Sequence, residues 1–249
     1  MRFWISILIG VVIAVAAPAQ DNGDSEPGFN EATFKGLEWR SIGPAFMSGR
    51  ISDIAIHPDR QNTWYVATGS GGIWKTENRG TTWTPIFDDE AVYSIGCITV
   101  DPNNPSTVWV GTGENISGRH TSFGNGIYRS REGGKNWENK RLEDLVRIGM
   151  IRVDPRDSNV IFAAAQGPLW SGGGERGLFK STDGGETWNK VLGDDLGNTD
   201  ADDRYTGVSE VHMDTRAPDV MFAVSWQRIR SVAALMDGGP GTGIHKSED

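Results

Sequence analysis

The stretch STDGGETW, Ser181 to Trp188, decides the fold. The Ser181 hydroxyl and the Asp183 carboxylate can accept backbone N–H bonds inside a tight turn. Gly184 and Gly185 can take positive φ at little cost. Trp188 then offers a large apolar surface, worth a few kcal/mol when it packs between strands. The stretch therefore reads as a hairpin that ends in an anchor. It recurs: TENRGTTW ends at Trp83, SREGGKNW ends at Trp137, and SED from Ser247 to Asp249 starts a fourth copy. A spacing of about 50 residues marks a repeat architecture.

Each copy follows a short strand: GIWK from Gly72, GIYR from Gly126, GLFK from Gly177 and GIHK from Gly243. Further upstream, ISDIAIHPD, IGCITVDPN, IGMIRVDPR and VSEVHMDTR alternate as strands do. Next come TWYVATG, TVWVGTG, VIFAAAQ and VMFAVSW. Four strands per repeat make one blade of a β-propeller, whose radial repetition protects the sheet edges. The expected fold is all-β, a β-propeller with blades at 49–90, 91–145, 146–196 and 205–249. The fourth copy stops inside its turn, so about three and a half blades of a larger ring are expected, with further blades beyond Asp249. The stretch LEWRSIGP, Leu37 to Pro44, is a candidate outer strand for closing that ring.

Composition agrees with short strands and tight turns: 33 Gly and 10 Trp stand in 249 residues, without strong helical patterns. The net charge of −9 argues against a nucleic-acid partner. Residues 1–19 read as a signal peptide, with Arg2, an apolar run from Ile5 to Ala16, and Ala17-Pro18-Ala19 before the cleavage point. The run is short for a span of about 20 residues, so no membrane insertion is expected after cleavage. Export to the periplasm or beyond follows, with residues 20–36 as a disordered linker to the propeller at 37–249. Cys97 is the only cysteine; it lies in a strand and reads as a small buried apolar residue.

The pattern S-x-D-x-G-x-T-W resembles the Asp-box, or BNR repeat, of sialidases, xyloglucanases and sortilin-type propellers. The chain is most similar to secreted bacterial sortilin/BNR-repeat proteins, a group often labelled glycosyl hydrolases. The resemblance rests on Thr76, Asn78, Gly80 and Trp83; Ser130, Glu132, Gly134 and Trp137; Ser181, Asp183, Gly185 and Trp188; and the start at Ser247 and Asp249. It implies that these turns are structural and lie on the rim away from the ligand face. Xyloglucanases carry a catalytic Asp in a pattern like T-D-x-G-G; the matching segment here is Thr68-Gly69-Ser70-Gly71-Gly72, with Gly69 in the place of that Asp. The sialidase Arg-Ile-Pro segment is echoed by WRSIGP, with Ser41 and Gly43 interposed, which makes Arg40 and Arg50 candidates for anion binding or plain surface arginines.

Candidate ligand contacts lie in the loops after each second strand, which lengthen from GSGG to GENISGRHTSFGN, GPLWSGGGER and QRIRSVAALMDGGPGT. Long loops cost little closure entropy and collect binding residues. Arg50, Glu114, Asn115, Arg119, His120, Trp170, Glu175, Arg176, Trp226 and Arg228 form a candidate rim for a peptide or polysaccharide, or else solvated loop charges with two satellite tryptophans. Glycoside hydrolysis needs two carboxylates flanking the scissile bond. Glu114, with Glu175 as partner, is the candidate pair. The acidic run around Asp200, Asp202 and Asp203 lacks the glycine and closing Glu of a calcium loop, and no zinc or phosphate motif is present, so no metal or cofactor is implied. A binding scaffold is the first functional reading, and a glycoside hydrolase with catalytic carboxylates partly outside this stretch is the alternative.

Overall fold

The computed structural model describes residues 35–36, 49–140, 142, 145–193, 196 and 203–247. The signal peptide, Arg40, the Leu37–Pro44 stretch, Asp200, Asp202 and Asp249 lie outside the described residues. From Gly49 onward the chain is all-β, with one short 3-10 turn at Asp203–Tyr205 among the described residues.

Four antiparallel sheets of four strands follow one another as propeller blades. The first holds β1 (Ile51–Ile56), β2 (Trp64–Thr68), β3 (Ile73–Thr76) and β4 (Thr84–Pro85). The second holds β5 (Ile95–Val100), β6 (Val108–Thr112), β7 (Ile127–Ser130) and β8 (Glu138–Asn139). The third holds β9 (Ile148–Asp154), β10 (Asp157–Ala165), β11 (Gly177–Ser181) and β12 (Asn189–Leu192). The first strands β1, β5 and β9 pack side by side, followed by β13 (Thr206–Asp214) of the last blade.

The fourth blade departs from the sequence expectation. Its second strand, β14 (Ala217–Arg230), runs on past Trp226 and turns back through β15 (Leu235–Asp237) before β16 (Gly243–Ser247). β14 pairs with β16 over Met221–Ser225 and with β15 over Arg228–Arg230. The stretch read as a loop is thus largely a hairpin. Alternation in QRIRS keeps the backbone extended, and Ser231 closes the tip by donating its N–H to the Ala234 carbonyl.

Because the second and third blades are covered on both faces, their inner strands bury both sets of alternating side chains. In β10, Ile161, Ala163 and Ala165 join a cluster with Trp109 and Ile127 of the second blade. Phe162 and Ala164, one residue out of phase, join Val208, Val211 and Met221 of the fourth. Tyr65, Ile73, Val108 and Tyr128 fill the first interface. Cys97 lies in the second, where burial pushes its thiol up to about 12, so it is a packing residue and no nucleophile.

The recurrent turn ties blades together. Ser181 Oγ accepts from Gly185 N at 2.9 Å, while Asp183 Oδ1 accepts from Thr187 N at 2.9 Å and from Glu186 N at 3.0 Å. Gly184 and Gly185 have φ of 72° and 84°; a Cβ on Gly185 would lie 2.7 Å from the Trp109 ring. The turn of the third blade therefore sits on Trp109 of the second, and Arg129 clamps it by donating to Gly184 O at 2.5 Å. One blade earlier, Trp137 Nε1 donates to Ile86 O at 2.7 Å, and Tyr65 lies under Gly133.

Two outcomes are expected. A Cβ at Gly96 would fall 2.1 Å from the Ile148 carbonyl of the next blade. Gly96→Ala should lower stability by about 3 kcal/mol or more, read as a lower urea midpoint; an unchanged midpoint would mean the blades do not meet there. Asp183, exposed but bonded by Thr187 and Ser181, titrates below the usual range, at about 2. A depressed folded-state value stabilises the protein above the unfolded value of about 3.9 and loses that contribution as pH falls toward about 2. Asp183→Asn should therefore flatten the fall in melting temperature between about pH 4 and pH 2.

Candidate functional site at the axial mouth

A cavity of about 650 Å³ runs along the first strands of all four blades, a volume suited to a small ligand or a few sugar rings. Position by position, Ser52, Gly96, Gly149 and Ser209 are its small residues. Three carboxylates line it: Asp53, Glu114 and Glu210. Asp53 has a structural duty, since Oδ1 accepts from Ile54 N at 2.8 Å and Oδ2 from Ile98 N at 3.0 Å in the second blade. Glu210 is exposed and pairs with His212 at 2.9 Å.

Glu114 is almost fully buried. It follows β6 after Gly113, whose φ of 81° turns the chain inward, and its N–H donates to Ser94 Oγ at 3.1 Å. Both carboxylate oxygens are held by Arg50: Nε donates to Oε1 at 2.6 Å and Nη2 donates to Oε2. Such a fork orients a carboxylate more firmly than a point charge does. The Arg50 guanidinium is pushed up by this bond to Glu114. Gly69 completes the arrangement. Its N–H donates to Arg50 O at 2.8 Å, and a Cβ there would lie 2.5 Å from Glu114 Cδ. The space in front of residue 69 is occupied by the Glu114 carboxylate.

The loop after β6 then reaches the fourth blade. Asn115 Oδ1 accepts from Arg228 Nη2 at 2.6 Å, Ser117 O from Arg230 Nη1 at 2.7 Å, and Arg119 Nη2 donates to Val232 O at 3.0 Å. Arg50, Glu114, Asn115, Arg119 and Arg228 are thus brought together. Arg228 is buried and stacks 4.5 Å over the Trp226 ring, which makes Trp226 a support for the arginine. Trp170 stays partly exposed beside Leu169, whose carbonyl accepts from Arg230 N.

Two expectations are corrected. Glu175 is not the partner of Glu114: it is exposed and 3.9 Å from Lys190 of the outer strand β12. Arg176 is not a rim residue but is buried, its guanidinium donating to the carbonyls of Gln166, Pro168, Ser171 and Gly173. Burial lowers it to about 10. Sequence reasoning missed Asp53 and Glu210. Their signal was positional, because in the aligned first strands they share the slot of Cys97 and Met150.

No protein-family model matches the chain. It is 29% identical over 169 residues to a xyloglucanase of Hypocrea jecorina, covering 62% of this chain and 19% of that protein. It is 23% identical over 150 residues to an oligoxyloglucan-reducing end-specific xyloglucanase of Emericella nidulans, covering 58% and 18%. The chain spans about a fifth of the length of the curated relatives it matches. Among solved structures it superposes on the GH74 xyloglucanase of Xanthomonas campestris with a TM-score of 0.57, at 19% identity, over 84% of this chain and 31% of that one. An ancestral GH74 enzyme gives 0.54 at 19% identity over 72% and 22%. These superpositions support the β-propeller fold.

The contact between Gly69 and Glu114 is testable as a coupling. Gly69→Ala should cost about 1–3 kcal/mol, because the new methyl group displaces a buried carboxylate. Adding Glu114→Ala, which empties that space, should recover part of the loss in a double-mutant cycle of melting curves. Additive losses would show that the two residues do not touch.

Proposed function

We propose that the chain forms the polysaccharide-binding part of a β-propeller glycoside hydrolase, with the axial cavity as its sugar-binding groove. The observation that carries this reading is Glu114: a buried carboxylate, fixed by the Arg50 fork, in the wall of a cavity of ligand size. The sequence relatives named xyloglucanases support it and suggest a branched β-glucan as the first substrate to try. Hydrolysis of a glycosidic bond takes two carboxylates, one protonating the leaving oxygen and one acting as base or nucleophile. Glu114 and Glu210 are the proposed pair within this chain, while Asp53, whose oxygens accept the backbone N–H groups of Ile54 and Ile98, is read as tying the first two blades together. Read as a signal peptide, residues 1–19 support export under the same proposal.

A second reading, a glycan- or peptide-binding scaffold without turnover, is favoured by one specific feature. Both Glu114 oxygens are engaged by Arg50, and Gly69 leaves no carboxylate of its own at the mouth. A carboxylate so held can grip a hydroxyl network as well as it can act on a bond.

The test is release of new reducing ends from xyloglucan by the full chain, run beside calorimetric binding of the same polymer. Turnover that Glu114→Gln lowers by about 100-fold or more, with the melting curve kept, is the expected result. Binding without turnover in the wild type would replace the hydrolase reading with the scaffold. Neither binding nor turnover would overturn both as far as this glycan is concerned.

A further inference from the structure

Behind the mouth lies a group of buried cations that the proposed groove does not use. Arg147 and Arg228 are both fully buried. Arg147 Nη2 donates to Thr121 Oγ1 at 3.2 Å, and Arg228 Nη2 donates to Asn115 Oδ1. The remaining nitrogens, Nε and Nη1 of each, meet no acceptor among the described residues. Gln166 ties together the backbone segments that carry the two arginines. Its N–H donates to Arg147 O at 2.9 Å, and its Nε2 donates at 2.7 Å to the carbonyl of Trp226, two residues before Arg228. The Gln166 Oε1 atom is buried and unpartnered as well, but one neutral acceptor cannot serve four charged donor atoms.

The charges do not balance locally either. Arg147 and Arg176 both act on Arg228, and burial and their proximity pull it down to about 9. Among the described residues the opposing carboxylates are Asp237, which acts on Arg228, and Glu114, which acts on Arg147. Glu114 already belongs to Arg50, and Asp237 lies opposite Arg228 in the β14–β15 register while accepting from Ser117 Oγ at 3.0 Å. Aromatic faces give partial relief, Phe123 at 5.5 Å from Arg147 and Trp226 at 4.5 Å from Arg228. They supply no lone pairs. A buried charged donor left unpaired costs more than a neutral one, and two like charges in a low dielectric add repulsion. Water could accept the N–H bonds but would leave the repulsion. A single anion between the guanidinium groups removes both penalties.

We propose that Arg147 and Arg228 enclose a small monovalent inorganic anion of halide size, held by their unpaired Nε and Nη1 donors beside Gln166. The atoms involved are sealed from solvent, which excludes a sugar acid or a peptide carboxylate and selects a compact ion. The ion joins the loop after β6, the start of β9 and the β14–β15 hairpin, and so stiffens the wall of the axial mouth without touching its ligand.

The test uses the full chain and sodium chloride, with sodium gluconate as the bulky replacement at equal ionic strength. The melting temperature should rise saturably with chloride, by about 3 °C or more, as for any ligand that binds only the folded state. Arg147→Met and Arg228→Met should each abolish the saturable part. Bromide-soaked crystals of the wild type should show an anomalous peak within hydrogen-bond reach of both guanidinium groups; this arm decides the matter if the variants fail to fold. A melting temperature indifferent to the anion, the same response in the variants, or an anomalous map empty between the two arginines would overturn the proposal.

Discussion

The first strands of neighbouring blades approach until backbone meets backbone, and the rest of the molecule is arranged around that contact. A Cβ on Gly149 would stand 2.2 Å from Ser209 O, much as one on Gly96 would meet Ile148 O. Blades converge toward the axis, so the space between them shrinks to the thickness of a main chain there and widens outward. Only glycine or a small residue fits that slot, and Ser52 and Ser209 occupy it at the two ends of the arc. One consequence is functional. Chemistry at the axis has to come from the strand ends and the loops that leave them, and Glu114 is such a residue, set just past β6.

Toward the outside the gap is filled by a relay of one aromatic and one cation in each of the first three blades. Lys75 lies 5.6 Å over Tyr65, Arg129 5.5 Å over Trp109 and Lys180 5.3 Å over Phe162. In the first two cases the turn of the following blade caps the pair, and its tryptophan, Trp137 or Trp188, packs against the cluster. Cation, ring and turn carry matched geometry across each interface. This explains why the turn sequence drifts, as at Asn78 and Glu132, while its glycine and tryptophan recur.

Much of this architecture was legible because it repeats. The turn from Ser181 to Trp188 can be compared with its own copies, and strand alternation is set by period 2 whatever the detailed side chain. The long fourth-blade hairpin was not legible, because a β extension and a loop share the same polar composition and only the pairing of Arg228 with Asp237 separates them. Glu114 could be singled out as the residue ending a strand on the ligand face. Its tie to Arg50, 64 positions away, could not, since it depends on which blade neighbours which. Glu175 failed for the same reason in reverse: proximity in a loop sequence says nothing about which way a curled loop points, and Arg176 curls this one inward.

The loop after β6 shows how such long-range ties act together. Through Glu114 it grips Arg50 at the start of the first blade, and through Asn115, Ser117 and Arg119 it grips the fourth. Its own blade stands between them in the chain. The loop therefore straps the two ends of the arc across the axial mouth, where a splaying motion would have the longest lever. Four of the chain's arginines serve this work: Arg50, Arg147, Arg176 and Arg228 all lie at or beneath the loops of the mouth. Unlike a lysine, a guanidinium presents several fixed donors, so each can bind a carboxylate, an amide or a carbonyl on a different blade while remaining charged. The electrostatic cost of gathering them is therefore linked to the geometry they enforce.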